Sequence, residues 1–172
     1  MDIARSRHSE LSAERKQQLE AAANAEFGQF AIVRETQWAS PDWSFLAHEG
    51  AELAAFYNIV KRTVKVDGVP VRVAGLNNLV TIPAHRGHGV ASRLLRETQP
   101  QWFDSLGAEC GLLLCAEALL PFYSRLGWEK AGVPVSYAQP DGPRVWAASC
   151  MLLDPFRGLA ATREIDLCGL PW

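Results

Sequence analysis

The strongest constraint on the fold of this chain lies in residues 79–95, where a strand, a glycine-containing turn and a helix follow one another. Residues 79–82 form a short apolar run typical of a strand. Residues 83–89 interrupt that run, and apolar residues at helical spacing then predict a helix over about 88–106. Pro100 lies inside this helix and is expected to kink or divide it.

The turn between this strand and this helix contains Arg86, Gly87 and Gly89. Small residues let a backbone approach an anion closely, and the free N–H groups at a helix start favour negative charge. Arg86 could add charge-assisted hydrogen bonds. On spacing alone, a tight turn and a pyrophosphate cradle are equally good interpretations. Two other nucleotide loops fit worse, because no Gly-Lys-Ser/Thr follows and Ser92 stands where a third glycine would be needed.

The N-terminal half predicts one helix followed by antiparallel strands. The helix spans 9–27 with Ser9 as a candidate cap, residues 30–34 favour a short strand or extended link, and residues 36–43 favour a loop. Strands are expected at 43–47, 53–66 and 69–73. Asp67-Gly68 is a strong hairpin signal. Gly and Asn within 74–78 indicate a bulge.

The C-terminal half predicts a buried strand at 111–115, a helix at 117–126 and two last strands. Those strands are 128–138 and 144–153, joined by a turn at 140–143, and the tail from 154 shows little periodicity. The order of elements predicts an α/β fold with a mixed, largely antiparallel sheet flanked by helices. We expect one domain over 1–172.

Composition excludes several classes of protein. The net charge is -2 without a strongly basic stretch, so nucleic acid is not an expected partner. No apolar run approaches the roughly 20 residues of a membrane span. The four cysteines lack zinc spacing, and His85 and His88 have no nearby partner, so no metal is expected. These observations predict a cytoplasmic protein in a reducing compartment.

Two segments resemble the GNAT superfamily of acyl-CoA N-acyltransferases. Residues 80–95 contain Arg-Gly-His-Gly-Val-Ala after a Val-Thr-Ile-Pro run, and residues 122–128 read Phe-Tyr-Ser-Arg-Leu-Gly-Trp. Both follow the order of that family. The resemblance implies acetyl-CoA as cofactor, transfer of its acetyl group to a small-molecule amine, and a sheet that splays after Ile82.

The resemblance also implies roles for individual residues. The backbone of the strand would pair with pantetheine, through Leu79, Val80, Thr81 and Ile82. The amides of the turn would hold the pyrophosphate, through Arg86, Gly87, His88, Gly89, Val90, Ala91 and Ser92. Tyr123 would protonate the departing thiolate, with packing as an ordinary aromatic residue as the alternative.

In layout, the chain is most similar to aminoglycoside 2′-N-acetyltransferases, which share its Thr36-Gln37-Trp38 element and its tail ending in Trp172. That group carries a glutamate nine residues before the arginine of the turn, where this chain has Asn77, and an acidic residue near the end of the tail is also absent. Both departures weaken the expectation of an aminoglycoside. They leave open an alternative, a catalytically weak or inactive acyl-CoA-binding sensor.

The acceptor side of the reaction is less constrained by the sequence. Trp38, Asn77 and Trp172 are candidate acceptor contacts, although core packing fits the tryptophans at least as well. Candidate bases are the Trp172 carboxylate, Glu117, Asp166 or a water chain. Either a monomer or a homodimer fits the sequence.

Overall fold

The computed structural model describes residues 1–154 and 162–172. Within them the chain forms ten strands and four helices. In chain order these are β1 (Asp2–Arg7), α1 (Ala13–Phe27), α2 (Ala31–Glu35), β2 (Trp43–Glu49), β3 (Glu52–Val66), β4 (Val69–Thr81), α3 (Val90–Asp104), β5 (Cys110–Cys115), α4 (Leu120–Ser124), β6 (Glu129–Ala131), β7 (Val135–Gln139), β8 (Gly142–Val145), β9 (Ser149–Leu153) and β10 (Ile165–Asp166). None of the helices in this part of the chain has the length and apolar content that a bilayer span requires.

All ten strands join one sheet, in the order β6-β9-β5-β4-β3-β10-β7-β8, with β2 and then β1 continuing from the first half of β3. The β4–β5 and β7–β10 pairs are parallel, and the other pairs are antiparallel. The predicted fold class, a mixed and largely antiparallel sheet flanked by helices, is therefore confirmed. The long strand β3 is the organising element, because β2 pairs with its start and β10 with its end.

The hairpin between β3 and β4 is confirmed at Asp67-Gly68. Both residues have positive φ, 50° and 79°. That geometry belongs to the two-residue turn whose twist matches the twist of the flanking strands.

The expected bulge lies at Asn77 and Asn78. The β3–β4 register shifts between Phe56 and Asn58, opposite this site, and Asn78 has a φ of 51°. The last β4–β5 pair is Leu76 with Leu113, although both strands continue beyond it. The sheet therefore opens at Leu76, earlier than the predicted opening after Ile82.

One face of the sheet packs against α3 and α4. Leu94, Leu95 and Trp102 of α3 are fully buried there. Trp102 donates its indole N–H to the hydroxyl of Tyr57 at 3.0 Å, and this hydroxyl lies 2.6 Å from the Thr98 hydroxyl. Thr98 in turn donates to the Leu94 carbonyl at 2.6 Å. These directed hydrogen bonds fix α3 to β3.

The other face is covered in two parts. Leu19 and Ala23 of α1 pack with Phe56 and Val80 over the start of β3 and the end of β4. The C-terminal residues cover the other half, where Trp172 joins a cluster of buried residues from β3, β4, β5, β7 and β9. The bulge at Asn77 and Asn78 lies between the part of β4 covered by α1 and the part covered by the C-terminal residues.

Several N-terminal expectations are wrong. Residues 30–34 fold into α2, because the Arg34 guanidinium donates to the Gly28 and Gln29 carbonyls and draws the segment back onto the end of α1. Ser12, and not Ser9, caps α1 by accepting the Arg15 N–H. Strand β1 had no sequence signal, since its side chains are exposed or half-buried at the sheet edge.

The C-terminal half also departs from expectation. Pro100 leaves α3 undivided, on an exposed position of the helix. The helix expected at 117–126 is a single 3-10 turn followed by the short α4. Four strands, β6 to β9, replace the two last strands expected, because 132–134 and 146–148 interrupt them. A further short strand, β10, lies within the tail.

Candidate functional site

The turn before α3 presents free backbone donors. Gly87 and Gly89 have φ of 80° and 73°, a conformation that residues with a Cβ rarely adopt. The first hydrogen bond of the helix runs from the Arg93 N–H to the Gly89 carbonyl at 2.9 Å. The preceding amides, those of residues 90–92, make no hydrogen bond to any described residue. They are the unpaired donors with which every helix begins, and they favour an anion.

A cavity of about 180 Å³ lies in front of these amides and is partly open to solvent. It brings together the end of β4, the turn, the start of α3 and one residue of α4. The lining residues are Thr81, His85, Arg86, Gly87, Gly89, Val90, Ala91, Ser92 and Phe122. The two segments that carry the family resemblance thus meet in one cavity. His88 lies in the same turn with an exposed side chain but is not among the lining residues.

Two side chains of this turn are held by carboxylates from other elements. The Arg86 Nη2 lies 2.7 Å from Glu26 of α1, and its Nε donates to the Thr81 carbonyl at 3.1 Å. The His85 Nδ1 lies 3.1 Å from Glu49, at the β2–β3 turn. The turn is therefore bonded to α1 through Glu26 and to the end of β2 through Glu49.

The open edge of β4 presents the peptide groups of alternate residues. The Ile82 N–H donates to the Ala54 carbonyl at 2.9 Å, so it faces β3. Because strand peptides alternate in direction, Val80 also faces β3, whereas Leu79 and Thr81 face the opening between β4 and β5. The Thr81 carbonyl there accepts from Arg86, and the Leu79 peptide stays on the open edge.

Tyr123 lies in α4 with 7% of its surface exposed. Its ring packs edge-on against Phe122 at 4.9 Å and Trp128 at 5.9 Å. Burial raises the pKa of its hydroxyl, and the nearby Cys115 thiol at the end of β5 raises it further. This hydroxyl is protonated at neutral pH, and no described residue hydrogen-bonds to it.

Asn77 belongs to a row of polar residues on the face opposite α3. Cross-strand pairing aligns Ser44, Asn58 and Asn77. The Ser44 hydroxyl donates to Asn58 Oδ1 at 2.7 Å, and His8 Nδ1 lies 2.8 Å from the same hydroxyl. Burial lowers the pKa of His8, and Lys16 lowers it further. The sequence did not point to His8, Ser44 or Asn58. Ser44 and Asn58 are single polar residues within the apolar runs of β2 and β3, and such residues can indicate a buried polar site.

The two tryptophans proposed as acceptor contacts lie in different surroundings. Trp172 is buried against Gly75 on the face of Asn77, and its indole N–H donates to the Leu112 carbonyl at 3.4 Å. Trp38 donates to the Val33 carbonyl and packs edge-on against Trp146 at 6.2 Å. The structure thus brings Asn77 and Trp172 onto one face and places Trp38 in a separate aromatic contact.

Two of the three carboxylates proposed as bases have other partners. Glu117 pairs with Lys130 at 3.0 Å, and Asp166 accepts the Cys168 N–H at 2.8 Å. Across residues 1–154 and 162–172, no group of three or more His, Cys, Asp or Glu residues could hold a metal ion.

Comparisons with known proteins place these features in context. The profile of a family described as acetyltransferase (GNAT) domain matches residues 9–131. Among curated proteins, none matches the sequence.

Solved structures with the same fold share little sequence with this chain. ElaA of Escherichia coli is 18% identical, with a TM-score of 0.62, over 90% of this chain and 100% of its own. An acyl-CoA N-acyltransferase from Pseudomonas aeruginosa is 16% identical, with a TM-score of 0.56, over 88% of this chain and 99% of its own. A GNAT family acetyltransferase from Brucella melitensis, in complex with acetyl-CoA, is 20% identical, with a TM-score of 0.53, over 74% of this chain and 83% of its own. None of these names mentions an aminoglycoside, so the closer resemblance to 2′-N-acetyltransferases gains no support from them.

Proposed function

The chain belongs to the acetyltransferase (GNAT) domain family, and we propose that it transfers an acetyl group from acetyl-CoA to a primary amine of a small molecule. The cavity before α3 carries this proposal. It joins free amides at a helix start, two glycines at positive φ and an arginine. That combination suits a pyrophosphate better than it suits an ordinary tight turn.

The residues of the site fit coenzyme A in two places. The amides over 86–92 would hold the pyrophosphate, and the open edge of β4 over 79–82 would pair with pantetheine as an added strand does. The acetyl thioester supplies the activated carbonyl carbon. The chain supplies binding, orientation and the proton.

Two groups are proposed for the chemistry. The Leu79 N–H lies on the open edge of β4 and is a candidate donor to the developing oxyanion, whereas Val80 faces β3 and is a weaker candidate. Tyr123 is the proposed acid. Its hydroxyl is protonated at neutral pH, as burial only raises its pKa further, so a proton is available for the departing thiolate.

The acceptor is proposed to approach on the face of Asn77 and Trp172. Asn77 offers an amide and no base, so the amine must lose its proton to another group, such as the Trp172 carboxylate or water. Trp38 stays a candidate contact of the acceptor, although it lies apart from Asn77 and Trp172. An aminoglycoside-like amine is one member of the proposed class, ranked behind a generic amine because Asn77 replaces the glutamate of the similar enzymes.

A specific observation favours a second candidate. Asn77 stands in place of the base, and Glu117 and Asp166 already have partners. An acyl-CoA-binding sensor of weak or absent activity would keep the cavity before α3 and tolerate this loss. A monomer and a homodimer fit either function.

One pair of measurements tests both candidates. Acetyl-CoA at about 100 times its dissociation constant should raise the melting temperature by roughly 5–10 °C, because ligand binds only the native state. Release of free thiol with a panel of primary amines then separates enzyme from sensor. A thermal shift without turnover on any amine favours the sensor, and the absence of a thermal shift overturns both.

A further inference from the structure

Arg86, the arginine of the turn before α3, forms an ion pair with Glu26 of α1. We propose that Glu26 is a positioning residue, which orients the Arg86 guanidinium at the mouth of the cavity so that its remaining donors meet the phosphates of the cofactor. This inference rests on the proposed function. Glu26 lies in α1, outside residues 80–95 and 122–128, which carry the resemblance to the family.

The hydrogen bonds of Arg86 divide its guanidinium into two edges. The Nε donates to the Thr81 carbonyl at 3.1 Å, and Nη2 lies 2.7 Å from Glu26 Oε2. A guanidinium carries five N–H groups in a fixed plane. No described residue accepts from Nη1, so the edge away from Glu26 and Thr81 keeps donors for a ligand. Arg86 itself lines the cavity.

Glu26 sits on a fixed support. Two buried residues of its helix, Leu19 and Ala23, pack against Phe56 and Val80 of the sheet. Thr81, the other partner of Arg86, directly follows Val80. Both anchors of the guanidinium therefore belong to one packed unit. Orientation by rigid elements reduces the conformational entropy that ligand binding would otherwise cost.

The position of Glu26 in its helix is a second, independent observation. It lies in the last turn of α1, which ends at Phe27. The negative end of the helix dipole disfavours a carboxylate there. The pairing with Arg86 offsets this repulsion. The helix alone gives no reason for a glutamate at this place, whereas the position of Arg86 does.

The contact is not a major source of stability. The side chains of Arg86 and Glu26 are 50% and 41% exposed. Exposed pairs of this kind contribute little to folding. Removing the Glu26 charge should therefore leave the protein folded, and the effect should appear in cofactor binding.

The test compares Glu26→Gln with Glu97→Gln by calorimetric titration with coenzyme A and with pantetheine, which lacks the pyrophosphate. Glu97 pairs with Arg93 at 2.6 Å and has a similar exposure, so it is a matched control. Glu26→Gln should weaken coenzyme A binding roughly two- to fivefold. Pantetheine binding and the turnover number at saturation should not change, and Glu97→Gln should match the wild type in every measurement.

Three results would overturn the inference. Unchanged coenzyme A affinity in Glu26→Gln would show that the pair does not orient Arg86. Tighter binding would show that Glu26 competes with the cofactor. Equal losses for coenzyme A and pantetheine would indicate a general disturbance of the site. If the wild-type protein binds no coenzyme A, the proposed function fails as well, which separates that failure from the other three.

Discussion

The indole of Trp172 occupies the space that a side chain at Gly75 would need. A Cβ placed on Gly75 would overlap the indole ring. Arg62 lies over the same ring, 5.3 Å from its centre, and donates to the Leu167 and Leu170 carbonyls. Contacts with β4 and with Arg62 therefore both help to hold residues 167–172 in place.

Gly75→Ala should displace Trp172 and release the tail from the sheet. We expect a loss of about 1–3 kcal/mol in the free energy of unfolding, as for other overpacked sites, and faster proteolysis near residue 170. Chemical denaturation and limited proteolysis measure the two effects. Gly132→Ala is the control, because nothing lies within 4 Å of its new methyl group. Equal free energies of unfolding for the two variants would show that the tail can move aside without loss of stability.

Two buried tyrosines should differ in how much stability the protein loses when their hydroxyl is removed. Tyr57→Phe leaves the Trp102 N–H without a partner in the core, so the free energy of unfolding should fall by about 1–3 kcal/mol. Tyr123→Phe removes a hydroxyl that no described residue hydrogen-bonds, so stability should change little. Urea denaturation of both variants is the measurement.

The same two variants should reverse their order in an activity assay. Under the proposed function, Tyr123→Phe slows thiol release by roughly a hundredfold or more at saturating substrates, while coenzyme A affinity stays near normal. Tyr57→Phe should keep most of its turnover at temperatures where it is folded. A Tyr123→Phe enzyme of wild-type rate would remove Tyr123 as the acid.

Asp67 should give stability a specific dependence on pH. Its carboxylate accepts the N–H groups of Arg163 and Glu164 at 2.8 and 2.9 Å, and these bonds lower its pKa. A lowered pKa stabilises the fold above the unfolded value of about 4, and this contribution is lost as the pH falls through the folded value. Asn tolerates the positive φ of this turn and keeps one oxygen that can accept these N–H groups, so Asp67→Asn removes the charge without straining the backbone. The stability difference between wild type and variant should shrink below about pH 4, and a constant difference from pH 7 to pH 2.5 would contradict this.

Only one cysteine should react quickly with a thiol reagent in the native protein. Cys168 is exposed, whereas the other three are buried. Burial raises the pKa of Cys115 to about 11 and that of Cys150 to about 12, and it also raises the pKa of Cys110. Since the thiolate is the nucleophile, we expect one fast thiol per chain in buffer and four in denaturant. Fast labelling of a second thiol would indicate local opening of the core.

The features that the sequence predicts well are those fixed by local chemistry. Asp67-Gly68 needs only two residues that accept positive φ, and the glycines of the turn before α3 follow the same rule. The bulge at Asn78 was also visible, because its residue type disfavours a regular strand. In each case a backbone conformation restricts the residue type directly, without reference to distant partners.

The features that the sequence conceals depend on distant partners. Strand β10 has two residues and forms only because β3 and β7 lie on either side of it. Likewise, neither Glu26 nor Arg86 indicates the other, since 60 positions separate them. The aligned polar row of Ser44, Asn58 and Asn77 required the strand register, which composition and periodicity do not provide.

The place of β10 between β3 and β7 has a consequence for synthesis on the ribosome. Until Ile165 and Asp166 emerge, β3 lacks its neighbour along its last residues, and the β7–β8 hairpin lacks its link to β3. The nascent chain thus exposes two unpaired strand edges, which are templates for association with other chains.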